Sequence, residues 1–428
     1  MTLLTWRRRH DLKVALHSSL WPVPVAAMLA AVAVAPALLR LDEATRWTLL
    51  GFGADGARGL VAALVASMLT FIVFVFSILL VVLQVASGTL TPRIIATVFR
   101  YPPMRRCVGL FVFAFTYGTA ALGRIEERTP QLPVLVTILL SLASIAAFLY
   151  LVDRLGHELR PVAVMSDIGR RGTEVIDAVY PLPWDQKAEA EVAALPAPGP
   201  VRVVTLAARS GVVLAFDSAG LARIAGERDG VIEMAPQVGD FVATGSVLFR
   251  LHGGAAGIDD RLLRHSLALG AERTFEQDPL FPFRVIVDVA AKALSPAIND
   301  PTTGVLALDQ IHHLLARIAR HRLDTGVVRD AGGRVRLVYR TPDWPDFVKL
   351  GCTEIRLYGI GSPQVMRRLR ALLEDLLEAL PEARHAALRG ELTLLDRAVE
   401  RGFPEPEDRA LATGRDLQGL GSGQHASR

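Results

Sequence analysis

The chain is nearly without lysine. Only Lys13, Lys187, Lys292 and Lys349 occur in 428 residues, so arginine carries almost all the positive charge. A net charge of +4 gives no footprint for nucleic acid. Two cysteines, Cys107 and Cys352, one in an apolar run and one in the hydrophilic half, exclude a disulfide framework. There is no G-x-S-x-G, no Walker loop, no H-E-x-x-H and no C-x-x-C, so no catalytic residue, metal ligand set or cofactor is assigned. Charge is also missing from four long apolar runs. An ion-coupled carrier usually keeps an ionisable residue at such depth, so a proton-coupled transporter is disfavoured.

What is abundant is apolar residues, 51% of the chain, with a mean hydropathy of +0.35. They concentrate before residue 153. Trp21–Leu39, Leu60–Leu83, Cys107–Gly123 and Val134–Val152 are each near the ~20 residues needed to cross ~30 Å of hydrocarbon. The first follows a basic leader, but Pro36 after the small residues Ala33 and Ala35 disfavours cleavage, so it reads as a retained anchor. Four spans are therefore predicted. Arginines crowd the N-terminus and the loop holding Arg93, Arg100, Arg105 and Arg106, while the other two loops are balanced by acids. The positive-inside rule then predicts both termini, and the whole hydrophilic half, in the cytoplasm.

The second span has a pattern of its own. From Gly59 to Pro92 there is no charge, and Thr70, Ser77, Gln84 and Thr91 recur every seven residues, with Gly88 on the same face. A seven-residue stripe suits a left-handed bundle. It reads either as a seam between packed helices or as the lining of a pore in a homo-oligomer.

The organisation predicted for the chain is a basic N-terminus (1–19), a four-span membrane domain (20–155) and a helix with a Pro/Ala-rich linker (156–200). A small β module (201–256), a mainly helical domain with some strand (257–403) and a disordered tail (404–428) follow. The fold class is thus an α-helical membrane domain joined to a cytoplasmic α+β region. Within the β module, "VGDFVATGSVLFRL" resembles the closing hairpin of a biotinyl- or lipoyl-type barrel. Those domains carry a lysine at a hairpin tip. None occurs between Lys187 and Lys292, so a carrier role is excluded and a structural barrel is expected.

Further on, "GAERTFEQD" and "SPAINDP" stand at either end of an apolar run. Gly270, Glu272, Arg273, Thr274, Gln277, Asp278, Asp288 and Ser295 to Pro301 resemble a family of predicted bacterial inner-membrane proteins defined as a domain of unknown function. Thr91 to Arg93 and Val238 to Val242 support the resemblance, and "VASGTLTPR" departs from the more polar run expected there. The resemblance implies an inner-membrane protein with a cytoplasmic tail and no assigned activity.

The residues of the second motif each have a local use. Ser295-Pro296 ends a helix, Asn299 suits a turn, and Asp300 is an N-cap with Pro301 at the first helical position. The alternative is a polar cluster of Glu272, Arg273, Thr274, Gln277, Asp278, Ser295, Asn299 and Asp300 that holds a small ligand or ion. An internal Arg273–Asp278 or Arg273–Asp300 pair would satisfy it without one. Asp309, His312, His313 and His321 on the next helix permit metal binding by spacing, against the simpler expectation of a solvated helix face. Two functions compete: an oligomeric channel-like protein gated by its cytoplasmic region, and a membrane-anchored sensor or scaffold. The partners expected are the bilayer and further copies of the chain.

Overall fold

The computed structural model describes residues 21–45, 53–89, 102–125, 130–158, 160–185, 202–323 and 325–419. The chain divides into a unit of Lys13–Arg160 and a second that holds Pro161–Arg428.

The first unit contains helices α1 (Pro22–Thr45), α2 (Ala54–Thr89), α3 (Pro102–Leu122) and α4 (Gln131–Glu158). Three of them, α1, α2 and α4, are long and apolar enough to cross a membrane. The expectation of four spans is corrected by α3. Arg105 and Arg106 fall early in it and it ends at Leu122. Its apolar part, from Cys107, is roughly 24 Å long at 1.5 Å per residue. That is short of the hydrocarbon thickness. Instead α3 is the helix the others pack on: Met104, Val108, Phe111, Ala114, Tyr117 and Ala121 are buried along it. Phe111 meets Phe71 of α2 edge-to-face, with 5.3 Å between ring centroids. The expectation of both termini on one side counted four crossings, and that count no longer supports it.

The second unit opens with α5 (Pro161–Val179). There follow β1 (Arg202–Thr205), β2 (Gly211–Phe216), α6 (Ser218–Glu227), β3 (Gly230–Met234), β4 (Phe241–Val242) and β5 (Val247–Gly253). Next come α7 (Asp260–His265), β6 (Leu267–Gly270), α8 (Leu280–Ala293), α9 (Pro301–Ile318), β7 (Val327–Arg329) and β8 (Val335–Tyr339). The chain closes with α10 (Trp344–Tyr358), α11 (Pro363–Ala379), α12 (His385–Gly402) and α13 (Pro406–Thr413).

No closed barrel forms among the described residues, which corrects the lipoyl-like expectation. The strands make two sheets, β1-β5-β3-β8-β7 and β4-β2-β6. The expected hairpin is split between them. Phe241 and Val242 pair with β2, while Val247 to Gly253 pair with β1 and β3. β8, far along the chain, adds parallel to β3. Alternating runs fix which residues can form strands, but not which partner each strand takes. The shared core includes Val204, Phe216, Leu221, Ile232, Phe249, Leu251 and Leu337.

The helical part is built around α8. Phe281, Phe283, Val285, Ile286, Val287, Val289, Ala290 and Ala293 are all buried, so it is covered on several sides. α5, α9 and α10 pack on it. The stretch after Pro404, expected as a disordered tail, carries α13. It packs through Arg367, whose Nη1 donates to the Leu411 carbonyl at 3.0 Å, and through buried Asp416.

Candidate functional site

The polar stripe sits on α2. Its buried positions Ala57, Val61, Met68 and Val75 lie along one line of the helix. At about 100° per residue, Thr70, Ser77 and Gln84 lie about 180° from that line. All three are exposed, flanked by exposed Val73, Leu80 and Val81. The stripe is therefore not a seam inside one chain. The Ser77 hydroxyl donates to the Val73 carbonyl at 2.9 Å and that of Thr70 to Ala66 at 3.3 Å. Both can face an apolar medium at small cost because the helix satisfies them. Gln84 is different, since its carboxamide makes no hydrogen bond among the described residues. Gly88 lies near the C-terminal end of α2, and Thr91 lies outside the described residues.

The two motifs around α8 do not meet as one cluster. The first begins the helix and the second ends it. The 14 residues between Leu280 and Ala293 separate them by roughly 21 Å at 1.5 Å per residue. At the start, Arg273 Nε donates to Asp278 Oδ2 at 2.7 Å, the internal pair that satisfies both side chains. Asp278 Oδ1 also accepts from the backbone N–H groups of Leu280 and Phe281, at 3.2 and 3.1 Å. Burial pushes the Asp278 carboxyl up, and Arg273 with those N–H groups pulls it back only in part. The Arg273 guanidinium lies close against Gly239, whose φ is +92°. A Cβ there would come within 2.0 Å of Nη2, so the glycine of "VGD" is required twice over. Gln277 Oε1 accepts the Phe216 N–H at 3.0 Å, tying the motif to β2. The Thr274 hydroxyl is buried without a partner among the described residues, and Glu272 is exposed.

At the far end, Ser295 Oγ donates to the Lys292 carbonyl at 2.6 Å. Asn299 takes φ +50°, and its N–H bonds the Ser295 carbonyl at 2.9 Å. Asp300 N–H reaches back to Ala293 O at 2.8 Å. The Asp300 carboxylate caps α9, accepting from Thr303 N–H at 3.1 Å and from the Thr303 hydroxyl at 2.6 Å. Every one of these groups is occupied in turning the chain from α8 into α9.

The histidines are also engaged. His312 lies 2.9 Å from Asp375 and 3.2 Å from Arg368, and burial with that guanidinium holds its imidazole below the ordinary value. His313 bonds Thr173, and His321 faces Asp177 at 3.3 Å. Among the described residues no group of three or more His, Cys, Asp or Glu side chains is arranged to hold a metal ion.

A feature absent from the motif reading is a cleft of about 230 Å³ in the second unit. It lies where α5 runs out at Tyr180, β2 passes through Phe216 into α6 at Ser218, and β8 ends at Tyr339–Arg340. Gln237 and Gln277 line it, as does Asp278, so the first motif forms one of its walls. Phe216 and Tyr339 make an edge-to-face pair with 4.9 Å between centroids. These residues come from five stretches of chain, and no local pattern joins them.

Comparison with known proteins agrees with the membrane architecture. A family model described as "Predicted membrane protein (DUF2254)" matches residues 17–375. The uncharacterized proteins Rv1290c of Mycobacterium tuberculosis and Mb1321c of Mycobacterium bovis are each 32% identical to this chain over 375 residues. The match covers 84% of this chain and 71% of each relative. No solved structure matches. This is a multi-pass protein of a bacterial membrane with a large cytoplasmic, mainly helical region. The chain belongs to the DUF2254 family of predicted membrane proteins.

Proposed function

We propose that the protein works as a homo-oligomer in the bacterial inner membrane. The outward face of α2 lines a channel-like path between copies, and the cytoplasmic region gates or filters it. The observation that carries this is the position of Thr70, Ser77 and Gln84, opposite the buried line of α2. An amide without a partner facing hydrocarbon costs several kcal/mol, roughly 2–7 in the absence of any hydrogen bond. A second copy or water in a path removes that cost for Gln84. Three candidate spans among the described residues are also few to enclose a path within one chain.

The test uses cysteine placed at Ser77. Native Cys107 and Cys352 are both buried, so they stay silent to mild oxidants. The expected result is a disulfide between copies in native membranes. In liposomes loaded with potassium chloride, joint Ser77→Leu and Gln84→Leu substitution is expected to abolish flux. Absence of any cross-link, or flux unchanged by the double substitution, refutes the assignment.

A further inference from the structure

We propose that the cleft beside the first motif binds a small organic oxyanion, a phosphate or carboxylate carried on a short planar or apolar body. The inference concerns the second unit alone and stands independently of the oligomer.

It follows from the balance of free donors and acceptors. The Gln277 carboxamide spends its oxygen on the Phe216 N–H, which leaves its NH₂ group. The Gln237 carboxamide and the Ser218 hydroxyl make no hydrogen bond among the described residues. The Arg340 guanidinium makes none either, and its nearest carboxylate, Asp240, is 4.0 Å away with a side chain already accepting the Gln237 N–H at 2.8 Å. The nearby carboxylates are already engaged in the fold. Asp278 is held by Arg273 and two backbone N–H groups, and Asp217 accepts from Gly220 N–H at 2.9 Å.

What the cleft offers a visitor is therefore one guanidinium fork, two amide NH₂ groups and a hydroxyl. A guanidinium suits the paired oxygens of a carboxylate or phosphate. The Phe216–Tyr339 pair supplies an apolar wall on which a ring can lie. At about 230 Å³ the space is below that of drug-sized ligands, so the occupant is small. Arg340 is 71% exposed at its side chain, so the cation can be approached from solvent.

The experiment is calorimetric titration of the full chain in detergent micelles with phenyl phosphate, benzoate and inorganic phosphate. Saturable binding of phenyl phosphate or benzoate is expected, tighter than that of inorganic phosphate. The tighter of the two identifies the headgroup. Arg340→Gln is expected to weaken binding by about tenfold or more, the usual loss for a hydrogen bond to a charged group. Gln237→Leu, which removes a donor and no charge, is expected to weaken it by a few-fold. Both positions are partly or largely exposed, so the variants keep the fold. Arg340→Gln binding as tightly as the parent overturns the proposal. So does the absence of saturable binding for both organic probes.

Discussion

Removing the Asp300 carboxylate separates a joint from a ligand site. In the structure that carboxylate has two partners, both on Thr303: the backbone N–H at 3.1 Å and the hydroxyl at 2.6 Å. If capping is its role, Asp300→Ala costs about 1 kcal/mol, within the usual range of roughly 0.5–2 for a lost N-cap. The cost falls on the first turn of α9, where Thr303 loses a fixed partner. Local opening governs amide exchange, so 1 kcal/mol corresponds to about fivefold faster exchange. Asp300→Ser keeps an oxygen in capping position and is expected to exchange within about twofold of the parent. The assay is hydrogen–deuterium exchange with mass spectrometry on a peptide covering residues 299–306, in detergent. Equal acceleration in the serine and alanine variants would refute the capping argument. It would show that the carboxylate does something a hydroxyl cannot, which is what a ligand site predicts.

Other perturbations probe the surrounding packing. Gly172 lets α5 approach α8 and α9, since a Cβ there would stand 2.8 Å from Leu314 Cδ2 and 3.0 Å from Pro282 Cβ. Gly172→Val is expected to destabilise by about 1–3 kcal/mol, seen as a lower melting temperature. Gly390 has nothing within 4 Å of such a Cβ, so Gly390→Ala is expected to raise it slightly. Melting that falls equally for both would refute the close-approach argument. Acid sensitivity tests the α5–α9 pair. Hydrogen bonds from Arg317 at 2.8 Å hold the Asp177 carboxyl below its ordinary value of 3.8. A depressed carboxylate contributes stability above its ordinary value, and that contribution is lost as pH falls through the lower, folded-state value. Arg317→Gln is therefore expected to melt with a flatter pH dependence below about pH 4 than the parent. Parallel profiles would refute the pairing.

How much of this was legible in the sequence differs by the range over which each cause acts. Asp300, Pro301 and the apolar positions of α9 are a local pattern, and the helix begins where that pattern puts it. The start of α8 at Leu280 is set by Asp278 two residues back, which supplies a side-chain acceptor for the first turn. The apolar runs also declare themselves, but apolarity does not separate a span from a helix buried among spans. For α3 the difference lies in Arg105 and Arg106, which shorten the run, and in a surface covered on several sides. The β module failed for a longer-range reason. Two strands joined by a short glycine-containing turn pair with each other by default. Here β4 and β5 take separate partners, and one of the partner sheets includes β8, from beyond residue 330.

The polar residues divide along the same line. Those of the second motif are explained by bonds within ten residues of sequence, such as Asp300 to Ala293 and to Thr303. Those of the first motif reach further: Gln277 holds Phe216, and Arg273 lies on Gly239. That reach makes the first motif a wall as well as a cap. It joins the start of α8 to the strands and turn that carry Phe216, Gln237 and Val238. A substitution at Arg273 or Asp278 must then disturb the helix start and the cleft together, whereas one at Asn299 or Asp300 acts on the α8–α9 turn alone. The unspent donors at Ser218, Gln237 and Arg340 are spread over more than a hundred residues. They form a set only after both sheets have assembled, and for that reason no window of the sequence displays them.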